Sequence, residues 1–254
     1  MSTVFLLTAR LKSTRLPKKI LLKVSGKPLI VHMLDRIKHA KTIDKIVICT
    51  STNPQDNPLE KIAKKENVIC HRGSEDDVLV RLLEAAKKHD LKHFANFTAD
   101  CPMIDPNLID HIVMNYHNSE ADLLKYDDCK DDVPFGCYVI RVNALEMICR
   151  EKKQTDTEVW IKLFTTNPDL VIRKIKVDSK YHHKTLKTSL DYPEDYEFIE
   201  HVFAELYQPG KFFTMLDILN LVRKKPELLE INSSRKLISR WKNHKILSSK
   251  KVNT

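Results

Sequence analysis

Short β-branched or apolar runs alternate with amphipathic stretches through the first half of the chain, and few folds accept that order. Residues 4–8, 45–50, 68–70 and 93–98 read as strands, and 28–41, 58–66, 76–89 and 106–118 read as helices between them. In 28–41, Leu29, Ile30, Met33, Leu34 and Ile37 recur at helical spacing behind Pro28, a residue suited to a first helical turn. In 76–89, Val78, Leu79, Leu82, Ala85 and Ala86 share one face. Strand and helix in strict exchange predict a parallel sheet with helices on both faces. After Ala121 the order loosens. Residues 126–134 read as an acidic loop, 137–141, 171–177 and 186–190 as strands, and 143–150, 156–164, 194–207 and 214–223 as helices.

Charge is informative once it is located. The net charge is +9, yet residues 233–254 hold seven cations (Arg235, Lys236, Arg240, Lys242, Lys245, Lys250, Lys251) and no acid. Without them 36 basic residues face 34 acidic ones, so the body is close to neutral. We therefore expect one domain over 1–232 and a basic tail over 233–254. The tail contains one aromatic residue, Trp241, so it offers no stacking platform and a nucleic-acid partner is not expected. Leu237, Ile238 and Trp241 permit a short amphipathic helix over 235–244, which would suit docking or peripheral contact with an anionic membrane. No apolar run approaches the ~18 residues of a spanning helix, and residues 1–10 lack the charged region and cleavage site of a secretory leader. A cytoplasmic location is the expectation. The six cysteines (Cys49, Cys70, Cys101, Cys129, Cys137, Cys149) form no CxxC pair, which argues against zinc ribbons and redox motifs.

The densest chemical signal follows the first strand: Thr8-Ala9-Arg10-Leu11-Lys12-Ser13-Thr14-Arg15-Leu16-Pro17-Lys18-Lys19. Ligands of open α/β sheets bind beyond the carboxyl ends of the strands. Guanidinium forks, ammonium groups and hydroxyls at such an end suit a polyphosphate. There is no GxGxxG, and Ser25-Gly26-Lys27-Pro28 lacks the upstream glycine of a P-loop. On charge alone, a solvated basic loop fits equally well. Asp100 and Asp191 each leave an expected strand, where each suits either a metal ion or the cap of the next helix. Asp76 or Asp77 is expected to cap the helix that starts near Val78.

Ala9-Arg10, Ser13-Thr14-Arg15-Leu16-Pro17, Lys19 and Gly26-Lys27-Pro28-Leu29-Ile30 together resemble the N-terminal signature of the acylneuraminate cytidylyltransferase family. That family includes CMP-KDO and CMP-sialate synthetases, and the resemblance is strongest to spore coat polysaccharide biosynthesis cytidylyltransferase-like proteins. It continues through Asn53-Pro54, Asp56, Arg72-Gly73-Ser74-Glu75-Asp76-Asp77-Val78-Leu79 and Thr98-Ala99-Asp100-Cys101-Pro102-Met103-Ile104-Asp105-Pro106. It ends with Asp191-Tyr192-Pro193-Glu194-Asp195 and Pro226-Glu227-Leu228-Leu229-Glu230-Ile231-Asn232. The resemblance implies a Rossmann-like, three-layer αβα fold with a mostly parallel sheet, of the nucleotide-diphospho-sugar transferase type. It implies transfer of a cytidylyl group from CTP to an acidic sugar of nonulosonate or KDO type, with release of pyrophosphate, by a homodimer. Arg10, Arg15 and Lys19 would hold the triphosphate with Asp100 in the catalytic set. Thr8, Ala9, Ser13, Arg72, Ser74 and Asp77 would complete the nucleotide pocket, and Asp100 and Asp191 would bind Mg²⁺.

The second half departs from the family pattern. Residues 137–141 lack the acid that usually follows a proline–glycine turn, although Pro134-Phe135-Gly136 keeps the turn. An Arg-Glu-His-type segment is replaced by Thr155-Asp156-Thr157-Glu158-Val159-Trp160. These positions would line the acceptor side, with Arg141 and Lys162 as candidate cations. A phosphorylated or phosphonate acceptor therefore stays open. So does a glycosyltransferase using Asp100 as its metal ligand, although a diphosphate donor has less need of so basic a loop.

Overall fold

The computed structural model describes residues 3–127 and 137–235. After β1 (Thr3–Thr8) comes a small hairpin, β2 (Lys23–Val24) and β3 (Lys27–Pro28), and then α1 (Leu29–Lys38). The alternation continues as β4 (Ile43–Ser51), α2 (Asn57–Lys65), β5 (Ile69–Gly73), α3 (Val78–Lys88), β6 (His93–Thr98) and α4 (Pro106–His117). The later elements are β7 (Leu123–Tyr126), β8 (Tyr138–Arg141), α5 (Val142–Glu151), α6 (Ile161–Thr165), β9 (Ile172–Ile175), α7 (Pro193–Leu206) and α8 (Met215–Lys224). The hairpin turns on Ser25 and Gly26, with φ of 47° and 81°. Two positive φ values in a two-residue turn are the reason for glycine there, so this is a β-turn and not a phosphate cradle.

Seven strands form one sheet in the order β5-β4-β1-β6-β8-β7-β9. β1 pairs in parallel with β4 and β6, and β4 with β5, while β8 runs against both β6 and β7. The sheet is thus mostly parallel, as expected. Strand residues alternate between two cores. Phe5, Leu7, Ile46 and Ile48 pack on the side of α1, α2, α4, α7 and α8. Val4, Leu6, Val47 and Cys49 pack on the side of α3, α5 and α6. Burial on both faces explains why these strands read as continuous apolar runs.

The chain order reverses at β1: β4 and β5 lie to one side of it and β6 to the other. Thr8 is in register with Thr98, so the loops leaving β1 and β6 emerge side by side. Such a switch point opens a crevice at the carboxyl ends of the strands.

Three expectations change. Residues 186–190 have no ladder partner and run as an irregular segment against the end of β6, where the Leu190 amide donates to the Asp100 carbonyl at 2.8 Å. Within 156–164 only the last turns are helical. The Thr157 amide donates to the Asp76 carbonyl and the Asp156 carboxylate accepts from the Glu158 amide at 3.1 Å, which diverts the backbone from helix. β7 went unread because its four buried residues are too short to show a period. Most of the acidic loop, the Pro134-Phe135-Gly136 turn, Cys129 and nearly all of the 235–244 helix lie outside the described residues. No helix among the described residues is long and apolar enough to cross a membrane.

Candidate active site

The crevice has a volume of about 370 Å³ and is lined from four parts of the chain. Thr8, Ala9, Arg10, Lys12, Ser13, Arg15 and Lys19 come from the end of β1 and its loop. Thr98 and Asp100 come from the end of β6, Asp76 and Val78 from the start of α3, and Asp156, Glu158 and Trp160 from the segment before α6. The basic loop is braced from below by Asp56, a fully buried carboxylate that accepts from the Leu11 amide at 2.8 Å and from the Ser51 hydroxyl. Ala9 continues the β1 ladder with a bond to the Cys49 carbonyl. Lys18 takes a left-handed conformation, φ 53°, and so turns the chain into the short helical turn that carries Lys19.

Lys19 sits at the centre of the charge arrangement. Its Nζ donates to Asp100 Oδ2 at 3.1 Å, to Asp191 Oδ1 at 3.2 Å and to the Leu190 carbonyl. Arg15 reaches the same Asp191 oxygen at 3.1 Å, and its guanidinium lies 4.9 Å from the Tyr192 ring centre. Residues 15, 19, 100 and 191 are therefore brought together. Burial acts to lower the pKa of Lys19, but the two carboxylates outweigh it and hold the ammonium above its ordinary value. Burial acts to raise the pKa of Asp191, but Lys19 and Lys187 outweigh it and keep the carboxyl below the usual range.

Neither aspartate is a helix cap. Asp105 caps α4 by accepting from the Asn107 amide, and Tyr192 occupies the cap of α7. Asp100 Oδ1 accepts from the Thr98 hydroxyl at 2.5 Å, which orients the side chain across the crevice. Two largely buried carboxylates, Asp100 on the crevice wall and Asp191 joined to it through Lys19, offer an all-oxygen donor set of the kind a hard divalent cation accepts, with substrate phosphates able to complete its shell. No group of three or more His, Cys, Asp or Glu side chains with metal-binding geometry occurs among the described residues. A single ion held by two carboxylates and the nucleotide is the arrangement these residues fit.

Arg10 is held on the opposite wall. It donates to the Glu75 carbonyl, and lies 3.9 Å from Asp76 and 3.6 Å from Glu158. Lys12 pairs with Glu75 at 3.2 Å, and Ser13 accepts from the Leu16 amide at 3.4 Å. Arg72, Ser74 and Asp77 do not join this group. Arg72 braces the β4 loop by donating to the Ser51 and Asn53 carbonyls, and faces Glu60 on the far side of β5. Ser74 accepts from the Asp77 amide. Asp77 caps α3 through the Val80 amide, and also binds the Thr157 hydroxyl and Lys152. Of the acceptor-side cations, Arg141 pairs with Asp122 beside the start of β6, at the opposite end of the sheet, and Lys162 does not line the crevice.

Several residues around the site carried no role in the sequence reading. Asp195 is 1% exposed and accepts from the Asp191 and Tyr192 amides at 2.9 Å each, from Lys187, and from Asn232 at 3.1 Å. Arg36, also buried, donates to the carbonyls of Met103, Ile104 and Phe213 and so ties the chain beyond Asp100 to the C-terminal helices. Asp195 and Asn232 belong to the quoted motifs. Lys187 and Arg36 left no signal, because their partners come from other elements.

Known proteins share this architecture. A structure of a cytidylyltransferase from Leptospira borgpetersenii superposes with a TM-score of 0.80 at 23% identity, over 90% of this chain and 96% of that one. The spore coat polysaccharide biosynthesis protein SpsF of Bacillus subtilis is 26% identical over 211 residues, covering 80% of this chain and 86% of its own. The 3-deoxy-manno-octulosonate cytidylyltransferase of Brucella suis is 35% identical over 127 residues, about half of each chain. The family model described as cytidylyltransferase matches residues 4–218, a span that includes the basic loop, Asp100 and Asp191. Sequence, sheet order and crevice agree: the chain belongs to the cytidylyltransferase family.

Proposed function

We propose that this nucleotidyltransferase transfers the cytidylyl group of CTP to an acidic sugar of nonulosonate or KDO type and releases pyrophosphate. The observation that carries the reading is the convergence of Arg15, Lys19, Asp100 and Asp191 at the switch point of the sheet. An acceptor oxygen attacks the α-phosphorus as the bond to the bridging oxygen of pyrophosphate breaks. Charge grows on the transferred group and on the leaving group, so cations already in place lower the barrier. In this reading Arg10 and Arg15 grip the triphosphate from two walls, and Lys19 stabilises the oxygen that departs. Thr8, Ala9 and Ser13 shape the floor. Asp100 and Asp191 would hold Mg²⁺, which supplies Lewis-acid neutralisation of the phosphates. The homodimer implied by the resemblance belongs to the same proposal, and sedimentation of the full chain tests it.

Pyrophosphate release is the direct assay, run with CTP, ATP, GTP and UTP against a panel of acidic sugars. Release with CTP and a sugar acid is the expected result, and release with another nucleotide alone would overturn the reading. The panel includes phosphorylated and phosphonate small molecules, because the wall formed by Asp156, Glu158 and Trp160 presents no cation of its own to a carboxylate.

A further inference from the structure

The two oxygens of Asp191 meet different surroundings. Oδ1 is engaged by Arg15 at 3.1 Å and Lys19 at 3.2 Å. Oδ2 meets the Ser189 hydroxyl at 3.5 Å and the ammonium of Lys187 at 3.6 Å. Lys187 is 5% exposed, so its charge must find a partner within the fold. That partner is Asp195, with the Ser189 carbonyl accepting a second bond at 3.1 Å. Asp195 is itself anchored by the Asp191 and Tyr192 amides and by Asn232, which also donates to the Lys187 carbonyl. A buried cation stands between two carboxylates, and one of them holds it back.

We propose that Asp195 is a positioning residue for the metal site. It retains Lys187 and thereby leaves Asp191 Oδ2 available to a divalent cation. Asp195 and Asp191 compete for the same buried ammonium. Asp195→Asn keeps the shape and keeps an oxygen for the two amides, but it removes the charge that neutralises Lys187. The nearest remaining carboxylate is then Asp191, and an ammonium bound there repels and displaces the metal ion. This rests on the metal-binding reading of Asp191, and the test separates the two.

The measurement is Mn²⁺ binding to the full chain in the presence of CTP, read from the electron paramagnetic resonance of free Mn²⁺. Circular dichroism monitors the fold. Asp191→Asn is expected to weaken Mn²⁺ binding; if it does not, the metal reading fails. Asp195→Asn is expected to weaken binding by about tenfold or more, the range found for partners that orient metal ligands. The double variant Asp195→Asn with Lys187→Met is expected to return to within about fivefold of the wild type, since the released charge is gone. A brace that acted through shape alone would show no such rescue. Wild-type affinity in Asp195→Asn alongside a damaged Asp191→Asn, or a double variant more than about fivefold weaker than wild type, would overturn the proposal. Should Asp195→Asn fail to fold, the neutral double variant decides alone by the same limit.

Discussion

Lys19→Ala and Arg15→Ala should separate the triphosphate from the monophosphate. The Lys19 side chain is 13% exposed and bridges Asp100 and Asp191, whereas the Arg15 side chain is 38% exposed and leans on Tyr192. A charge-assisted contact is worth about 1.5–3 kcal/mol. The exposed Arg15 belongs at the lower end and the enclosed Lys19 at the upper, because water screens the first more than the second. At 1.4 kcal/mol per decade, CTP binding should weaken about tenfold for Arg15→Ala and about 150-fold for Lys19→Ala. CMP lacks the β- and γ-phosphates, so its loss should stay below about threefold, under ~0.7 kcal/mol, in both variants. Removing Lys19 also leaves Asp100 and Asp191 unneutralised, which would repel either nucleotide. The titrations are therefore run by calorimetry at saturating Mg²⁺, where both carboxylates are occupied. Equal losses for CTP and CMP would refute the assignment of these cations to the terminal phosphates.

Asp100→Asn should remove most turnover while circular dichroism stays unchanged; near-normal rates at saturating Mg²⁺ would contradict its metal role. Truncation after Asn232 should preserve turnover, since each residue that lines the crevice precedes it. Asn232→Ala should instead cost about 1–3 kcal/mol in chemical denaturation, because Asp195 and the Lys187 carbonyl lose a buried donor. The Asp191–Lys19 pair should also leave a mark on the pH dependence of stability. A carboxyl whose pKa is depressed on folding stabilises above its ordinary 3.8, and that stability is lost as pH falls through the lower folded value. An ammonium with a raised pKa stabilises below 10.5 and loses that contribution as pH rises through the higher folded value. Lys19→Met should therefore start acid unfolding at a higher pH, and identical melting curves between pH 2 and 5 would exclude the coupling.

The parallel half of the sheet was legible because strands buried on both faces announce themselves as apolar runs, and helices between them keep their period. The basic loop and Asp100 were legible for a related reason: both follow such a strand directly, where an open sheet binds ligands. Asp191 was expected to leave a strand; that strand is absent, and the structure sets the carboxylate against Arg15 and Lys19. Residues 186–190 are held by single bonds to Asp100 and neighbouring side chains, and isolated bonds leave no period in a sequence. Arg72, Ser74 and Asp77 show the opposite limit. Their composition suits a nucleotide, but Arg72 is engaged by Glu60 of the preceding helix, Ser74 by the Asp77 amide, and Asp77 by Lys152 and Thr157 from elements far along the chain. The wall at 156–160 was read as lining the crevice, but its backbone was expected to be helical, because its bonds to the start of α3 leave no period in the sequence.

The closure of Asn232 onto Asp195 also orders events during synthesis. Lys19 and Asp100 emerge early, in the segments that follow β1 and β6. Asp191 follows much later, and Asn232 comes 132 residues after Asp100. At ~5–20 residues per second, about 7–26 s separate the first carboxylate of the pair from the residue that secures the second. A polypeptide interrupted in that interval carries the basic loop without its finished counter-wall. Its cations are in place long before the residue that anchors Asp195, and with it the Asp191 amide, has been made.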